Sequence, residues 1–399
     1  MVQEDLPLTR PLRIAFRIVP SQAWQGGFNY QFNLCRALAT YAADQVEVVA
    51  FFGEDALAGD LEAFAADPRI EVVQHAAFSR AGQNVRLLRA VVLGLDRKAA
   101  AAFSAARIDV VFESAHFYGR ALKPAAIAWF PDFQHWRLAH LFSRLAWWRR
   151  EIGFRTQLRH GRTILVSSED ARTDCERYYP ESQGAVQVLR FPAAVAAEDM
   201  EADPAAVKKQ YGLPDQFIYL PNQFWRHKNH AVVVEALGIL SRRGISVTVV
   251  ASGNTADPRD PTLYKKLQAR SEELGVSQCF HVLGVVPRAH VFALMRSCAA
   301  FLNPSMFEGW SSGVEEAKLF GVPMILSDLA VHREQAGVLG RYFAPDDAHA
   351  LAELLAAAMR AASMVPILRV PVSDVKERTK AYADAFVAIA RHALETHRA

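Results

Sequence analysis

Short apolar runs recur along the chain, separated by longer stretches in which apolar residues return every three or four positions. In the first half the runs are Arg13–Val19, Val46–Phe52, Ile70–Val73, Asp109–Glu113, Ala126–Phe130, Thr163–Ser167 and Val186–Leu189. In the second half they are Phe217–Leu220, Ser246–Val250, Cys279–Leu283, Ala299–Leu302 and Met324–Leu326, with a last core segment from Tyr342. Runs this short and this continuous read as strands buried on both faces. The alanine-rich stretches between them read as crossover helices, among them 29–39, 205–211, 231–243 and 348–362. The predicted fold class is therefore α/β, with parallel sheets covered on both sides in two Rossmann-like domains.

A chain of 399 residues exceeds one ordinary core, which also favours two domains. The small, acidic stretch Ala193–Asp203, between Pro192 and Pro204, has no periodicity and marks the boundary. The expected division is 1–195 for the N-terminal domain and 204–370 for the C-terminal one. A final segment, 371–399, carries an amphipathic helix over Lys376–Arg398 placed to return to the first domain.

In such sheets ligands bind beyond the carboxyl ends of the strands. Three polar clusters of the first half fall there: Gln25-Gly26-Gly27, Glu113-Ser114-Ala115-His116 and Pro131-Asp132-Phe133-Gln134-His135. The glycine pair ahead of a helix suits an anion or sugar cradle, and equally a plain turn. His116 and His135 suit an acceptor site or a loop-filling role alike.

The second half is more pointed. In Asn303–Pro323, Ser312 followed by Glu315 predicts a capping box and a helix starting at Gly313, stopped by Gly321 and Pro323. Glu308 lies in the loop ahead of that helix and Glu316 in its opening turns. Gly309, Ser311, Ser312 and Gly313 are small enough for a ligand to reach the backbone, and free helix amides suit a phosphate. Arg226 and Lys228 crowd the start of the 231–243 helix, where the dipole is already positive and each cation costs about 0.3–1 kcal/mol. A diphosphate bound between them reverses that penalty. The turns at Gly253 and Gly284, each following a strand, are placed to hold a nucleotide base, although turn-forming glycines look the same.

Composition narrows the field. The chain is 51% apolar and 22% charged with a net charge of +3, too little for a nucleic-acid partner. Cys35, Cys175, Cys279 and Cys298 stand far apart and form no metal-like pair, and no cluster of acids resembles a magnesium site, so no metal is expected. The opening residues are polar, without a secretory or anchoring segment, and no apolar run reaches the ~20 residues of a membrane span, so the expected location is cytoplasmic. Between 137 and 162, Arg137, Arg144, Arg149, Arg150, Arg155, Arg159 and Arg162 face a single acid, Glu151, with Trp147 and Trp148 among them. Basic and aromatic residues on one helix suit an anionic membrane surface, or packing on the sheet with the arginines solvated; the second is the commoner arrangement.

Together the Arg-x-Lys of 226–228, the Glu-x7-Glu of Glu308 and Glu316, and the following Ala317 and Gly321-Val322-Pro323 resemble the retaining family 4 glycosyltransferases of the GT-B fold. The Pro-Asp-Phe-Gln-His run at 131–135 is similar to a segment of bacterial polysaccharide-assembly members. Where the family block has Gly-Phe-Gly-Leu-Pro, this chain has Gly309-Trp310-Ser311-Ser312-Gly313, which implies a different shape around the donor sugar. The resemblance implies two domains facing across a cleft. It also implies transfer of a hexosyl unit of mannose, rhamnose or glucose type from an NDP-sugar to a glycan acceptor, lipid-linked and at the inner membrane face. The NDP-sugar is then a substrate, with no cofactor or metal. Arg226 and Lys228 would hold the diphosphate, Glu316 the ribose, Glu308 the hydroxyls of the transferred sugar, and the amides of Ser312, Gly313 and Val314 the sugar or phosphate. His116 would bond the donor sugar, with Gly26, Gly27, Asp132 and His135 nearer the acceptor. A nucleotide-sugar epimerase of the same fold and a non-catalytic nucleotide-sugar-binding partner are the competing readings.

Overall fold

Each apolar run becomes a parallel strand, because strands joined by helical crossovers bury both faces and exclude polar residues from their centres. The structure, a computed structural model, describes residues 10–114, 116–363, 369 and 374–398. It divides into two units. The first reaches to Phe133, resumes over Ser143–Phe191 and takes in the chain from Lys376; the second comprises Gln134–Phe142 and Pro192–Val375.

The strands of the first unit are β1 (Leu12–Arg17), β2 (Val46–Phe52), β3 (Ile70–Gln74), β4 (Val110–Ser114), β5 (Ala125–Trp129), β6 (Thr163–Val166) and β7 (Val186–Val188), in the order β3-β2-β1-β4-β5-β6-β7. Those of the second are β8 (Ile218–Leu220), β9 (Val249–Ala251), β10 (Phe280–Val282), β11 (Ala300–Asn303), β12 (Met324–Ser327) and β13 (Gly340–Phe343), ordered β10-β9-β8-β11-β12-β13. All described pairings are parallel, so the predicted α/β class with two Rossmann-like sheets is what the chain forms.

One core of the first unit lies between alternate residues of its sheet and two helices. Ile14, Phe16, Val48 and Phe112 meet Leu34 and Leu38 of the helix Gln25–Tyr41, and Tyr382, Phe386 and Ala390 of the helix Val375–Arg398. In the second unit one face of the sheet packs on the helices His230–Arg242 and Ala348–Ala362, the other on Arg288–Ser297 and Ser312–Leu319.

One expectation is corrected. The Arg137–Arg162 stretch is not one helix: Gln134–Arg137 and a single turn at Ala139–Leu141 precede the helix Arg144–Arg159. Ser143 begins that helix because its Oγ accepts from the Ala146 amide at 3.2 Å. The acidic stretch after Pro192 lies at the start of the second unit's main segment. Ala193, Val195, Met200 and Ala202 pack into the second unit's core, and Arg296 Nη2 donates to the Ala202 carbonyl at 2.7 Å. The expected segment Val365–Val372 lies outside the described residues except for Arg369, as does Ala115.

Candidate functional site

Where the strand order of a parallel sheet reverses, the loops leaving the two central strands diverge and open a crevice. The reversal falls between β1 and β4 in the first unit and between β8 and β11 in the second. In the second unit the loop after β8 carries Arg226 and Lys228, and the loop after β11 carries Glu308, which explains how residues eighty positions apart meet. Lys228 Nζ lies 2.6 Å from Glu308 Oε1.

Both loops are held to their positions. Asn229 adopts a left-handed backbone (φ 56°), and its Nδ2 donates to the carbonyls of Pro304 at 3.1 Å and Pro345 at 2.7 Å. That conformation ends the turn Arg226–Lys228 and starts the helix His230–Arg242. Wholly buried Asn303 donates from Nδ2 to Ser311 Oγ at 3.0 Å and to Glu308 Oε1 at 3.3 Å, while its Oδ1 accepts from Asn222 at 3.2 Å. The Ser305 hydroxyl stands 2.7 Å from the same Glu308 oxygen.

All these contacts use Oε1; Oε2 of Glu308 makes no hydrogen bond among the described residues. Burial alone raises the Glu308 pKa, but the Lys228 ammonium, His332 and the hydrogen bond from Lys228 outweigh it and bring it to about 2. The carboxylate is therefore charged throughout the physiological range, with one oxygen able to accept from a ligand.

The helix after Glu308 begins one residue earlier than predicted. Ser311, not Ser312, is its cap: Ser311 Oγ accepts from the Val314 amide, and the helix runs Ser312–Leu319. Glu315 is consequently not a capping-box partner; it pairs with Lys318 at 3.0 Å and accepts from Gln335 at 3.2 Å. Gln335 also bonds both the amide and the carbonyl of Ser311, pinning the cap. The amides of Ser312 and Gly313 have no hydrogen-bond partner among the described residues, whereas that of Val314 is taken by the cap. Gly313 has a packing reason as well, since a Cβ there would lie 3.0 Å from the Phe301 ring.

Other expected donor-side residues belong to the same unit. Glu316 is buried, with Arg288 Nη2 at 3.5 Å, and burial raises its pKa despite that guanidinium. The Gly253 amide donates to the Gly284 carbonyl at 2.8 Å, which brings the two predicted turns together. At φ 147° and with a would-be Cβ 2.4 Å from the Asn222 carbonyl oxygen, Gly253 is demanded by the backbone.

Arg226 is not a member of the Lys228–Glu308 pair. Its side chain is exposed and lines a recess with His140, Leu141, Asp257, Arg259 and Asp260. Its amide donates to Asp257 Oδ2 at 3.1 Å, and Arg259 donates to Gln134 at 3.1 Å and sits over the Trp225 ring. His135 is fully buried beside Trp136 and Phe142 in the same excursion of the chain.

Sequence reasoning missed Arg259, Asn303, Gln335 and His332. The His332 Nδ1 lies 2.8 Å from the Ser327 carbonyl oxygen and its ring is wholly buried. None of these carries a motif; Arg259, Asn303 and Gln335 are found by long-range pairing with Gln134, Asn222 and Ser311, and His332 by its burial.

In the first unit the reversal point is closed by its own side chains. Gln31 accepts from the Val19 amide at 2.7 Å and donates to the Arg17 carbonyl at 2.9 Å and to Ser114 Oγ at 3.1 Å. Gly26 and Gly27 are not a loop ahead of the helix but part of its first turn. A Cβ on Gly27 would come 2.3 Å from the Trp24 ring, which stacks on Trp129 at 5.2 Å; Trp129 in turn stacks on Tyr30 at 4.1 Å. His116 is buried beside Tyr118, and burial, then Arg17 and Arg86, lowers its pKa to about 3, leaving a neutral ring. Asp132 is paired with Arg150 at 2.7 Å.

Two parallel sheets of seven and six strands, with a cation–carboxylate pair at the second sheet's reversal, define an α/β protein of the GT-B glycosyltransferase fold. Residues 205–365, which hold β8 to β13 together with Lys228, Glu308 and Glu316, match the family model of glycosyl transferases group 1. The chain is 29% identical over 116 residues to the putative glycosyltransferase EpsF of Bacillus subtilis, a match covering 29% of this chain and 28% of that relative.

Whole-chain likeness is structural. A glycosyltransferase from Rickettsia africae aligns with TM-score 0.64 at 13% identity, covering 97% of this chain and 98% of its own. The sucrose-phosphate synthase of Thermosynechococcus elongatus aligns with TM-score 0.62 at 15% identity, covering 98% of each. HepE of Anabaena, solved in complex with UDP and glucose, aligns with TM-score 0.59 at 14% identity, over 98% of this chain and 97% of that one.

Proposed function

We propose that the chain is a retaining, metal-independent hexosyltransferase. It moves a sugar from a nucleoside-diphosphate donor to a glycan acceptor, lipid-linked, in cell-surface polysaccharide assembly on the cytoplasmic side of the membrane. The observation that carries this reading is the 2.6 Å contact between Lys228 and an ionised Glu308 whose second oxygen, like two nearby helix amides, has no hydrogen-bond partner among the described residues. HepE, of like fold, is described as holding UDP and glucose, which supports a nucleotide-sugar ligand.

In this mechanism Lys228 and Arg226 neutralise the diphosphate, whose negative charge grows as the anomeric carbon–oxygen bond breaks and its electron pair stays on the phosphate oxygen. Glu308 accepts from hydroxyls of the transferred sugar and fixes its orientation. The acceptor hydroxyl attacks the face that the phosphate leaves, and its proton passes to the departing phosphate oxygen. Glu316 binds the ribose. The test begins with thermal shifts against UDP, GDP, dTDP and ADP, since a ligand bound only by the folded state raises the melting temperature. Nucleotide release is then followed with and without a glycan acceptor and with chelator present. Acceptor-dependent, chelator-insensitive release supports the reading; donor isomerisation without acceptor overturns it in favour of an epimerase.

A further inference from the structure

Of the large apolar side chains exposed among the described residues of the first unit, all but Leu57 lie on two helices. The helix Gln83–Leu93 buries only Ala90 and turns Val85, Leu88 and Val92 outward at i, i+3 and i+7; Leu88 is 62% and Val92 66% exposed. The helix Arg144–Arg159 repeats the spacing with Leu145, Trp148 and Ile152, 80%, 55% and 57% exposed. A soluble helix ordinarily presents the opposite face to water.

The charge on these faces has one sign. The first helix contains no acid, and Arg80, Arg89, Arg97 and Lys98 are exposed on or beside it. The second has Arg144, Arg149 and Arg159 exposed, and its one acid, Glu151, is buried, with Arg155 at 2.6 Å and Tyr179 at 2.5 Å. Both helices end at one turn: the Ala121 amide donates to the Gly94 carbonyl at 2.9 Å, and Arg162 donates to the Gly119 carbonyl at 2.8 Å. Self-association through these faces would set arginine against arginine.

We infer that the two helices together form the surface by which this protein lies on an anionic lipid bilayer, with Val85, Leu88, Val92, Leu145, Trp148 and Ile152 entering the interface and the arginines meeting headgroup phosphates. Trp148 suits the boundary between headgroup and acyl chain, being apolar with a single N–H donor. The inference deepens the lipid-linked acceptor reading, but it is measured by vesicle binding without donor or acceptor, so its failure and that of the transfer reaction are distinguishable.

The experiment is co-sedimentation of the full chain with vesicles of phosphatidylcholine containing about 40% phosphatidylglycerol, against phosphatidylcholine alone, at low and high salt. Binding to the anionic vesicles only, weakened by salt and accompanied by a blue shift of tryptophan emission that Trp148→Phe removes, is expected. Leu88→Glu with Val92→Glu, and separately Trp148→Glu with Ile152→Glu, should each lower partitioning by about tenfold or more at unchanged melting temperature, because these side chains are already in water. Absence of binding at low salt, equal binding to neutral vesicles, indifference to both pairs of substitutions, or a dimer in light scattering that Leu88→Glu dissolves would each overturn it.

Discussion

The two sheets reverse their strand order in the same way, yet the two reversal points are built oppositely. In the first unit the crevice between β1 and β4 is filled from within: Gln31 ties the ends of β1 and β4 together through Arg17, Val19 and Ser114, Trp24, Trp129 and Tyr30 stack in sequence, and His116 is buried and neutral. In the second, the crevice between β8 and β11 gathers charge and leaves Glu308 Oε2 and the amides of Ser312 and Gly313 without partners among the described residues. One topology thus serves as closed scaffold in one place and as receptive site in the other. Chemistry belongs to the residues grafted on the fold, not to the fold.

Substitutions that break this contrast should act on different observables. The largest effect is expected for Lys228→Ala, with kcat/KM for transfer down about 10³-fold, measured by nucleotide release. It carries a pH signature too. The folded-state pKa of Glu308, about 2, lies below its unfolded value, so this carboxylate contributes stability above pH ~4.5 that is lost as pH falls toward 2. Without the ammonium, burial raises that pKa. Lys228→Ala should therefore be less stable than the native chain at pH 7, with the gap narrowing on acidification in chemical denaturation. Glu308→Gln comes next, lowering kcat about 10²-fold through the sugar contact and lowering the melting temperature as well, since the Lys228 ammonium loses its carboxylate.

In the first unit the order inverts. Gln31→Leu should cost about 2–3 kcal/mol of stability, since it strands the buried partners of three hydrogen bonds, and leave kcat within about twofold. The smallest effect is expected for Gly27→Ala, about 1–2 kcal/mol from displacing the Trp24 ring, read as a lower melting temperature and altered tryptophan emission. Loss of transfer with Gln31→Leu at full stability would erase the distinction between the two crevices.

Much of this was legible in the residues. Strand positions follow from continuous apolar runs; β2 has the predicted ends because it is bounded by valine and phenylalanine, and the helix Ala348–Ala362 because Asp347 caps its start and alanine and leucine carry it through. Lys228 and Glu308 were also legible, because a cation at a helix start and a carboxylate among glycines and serines each go against local preference. The cap was misplaced by one residue because Ser311 and Ser312 are locally equivalent, and Gln335, twenty-four positions away, selects between them. Gln31 did leave a trace, standing on the buried stripe of Leu34, Cys35 and Leu38, where a polar residue requires satisfied partners. Departure of Gln134–Phe142 into the second unit left none, for nothing local says which core a short polar helix will join.

The helix Val375–Arg398 supplies Tyr382, Phe386 and Ala390 to the core of the sheet that begins at Leu12. On the ribosome the earlier-made unit must accordingly wait, its β1–β4 face uncovered, while the later-made one, whose strands all lie between 218 and 343, can close first. Synthesis order and completion order are reversed, and a chaperone engaging this nascent chain would find its longest-lived apolar surface near the amino terminus.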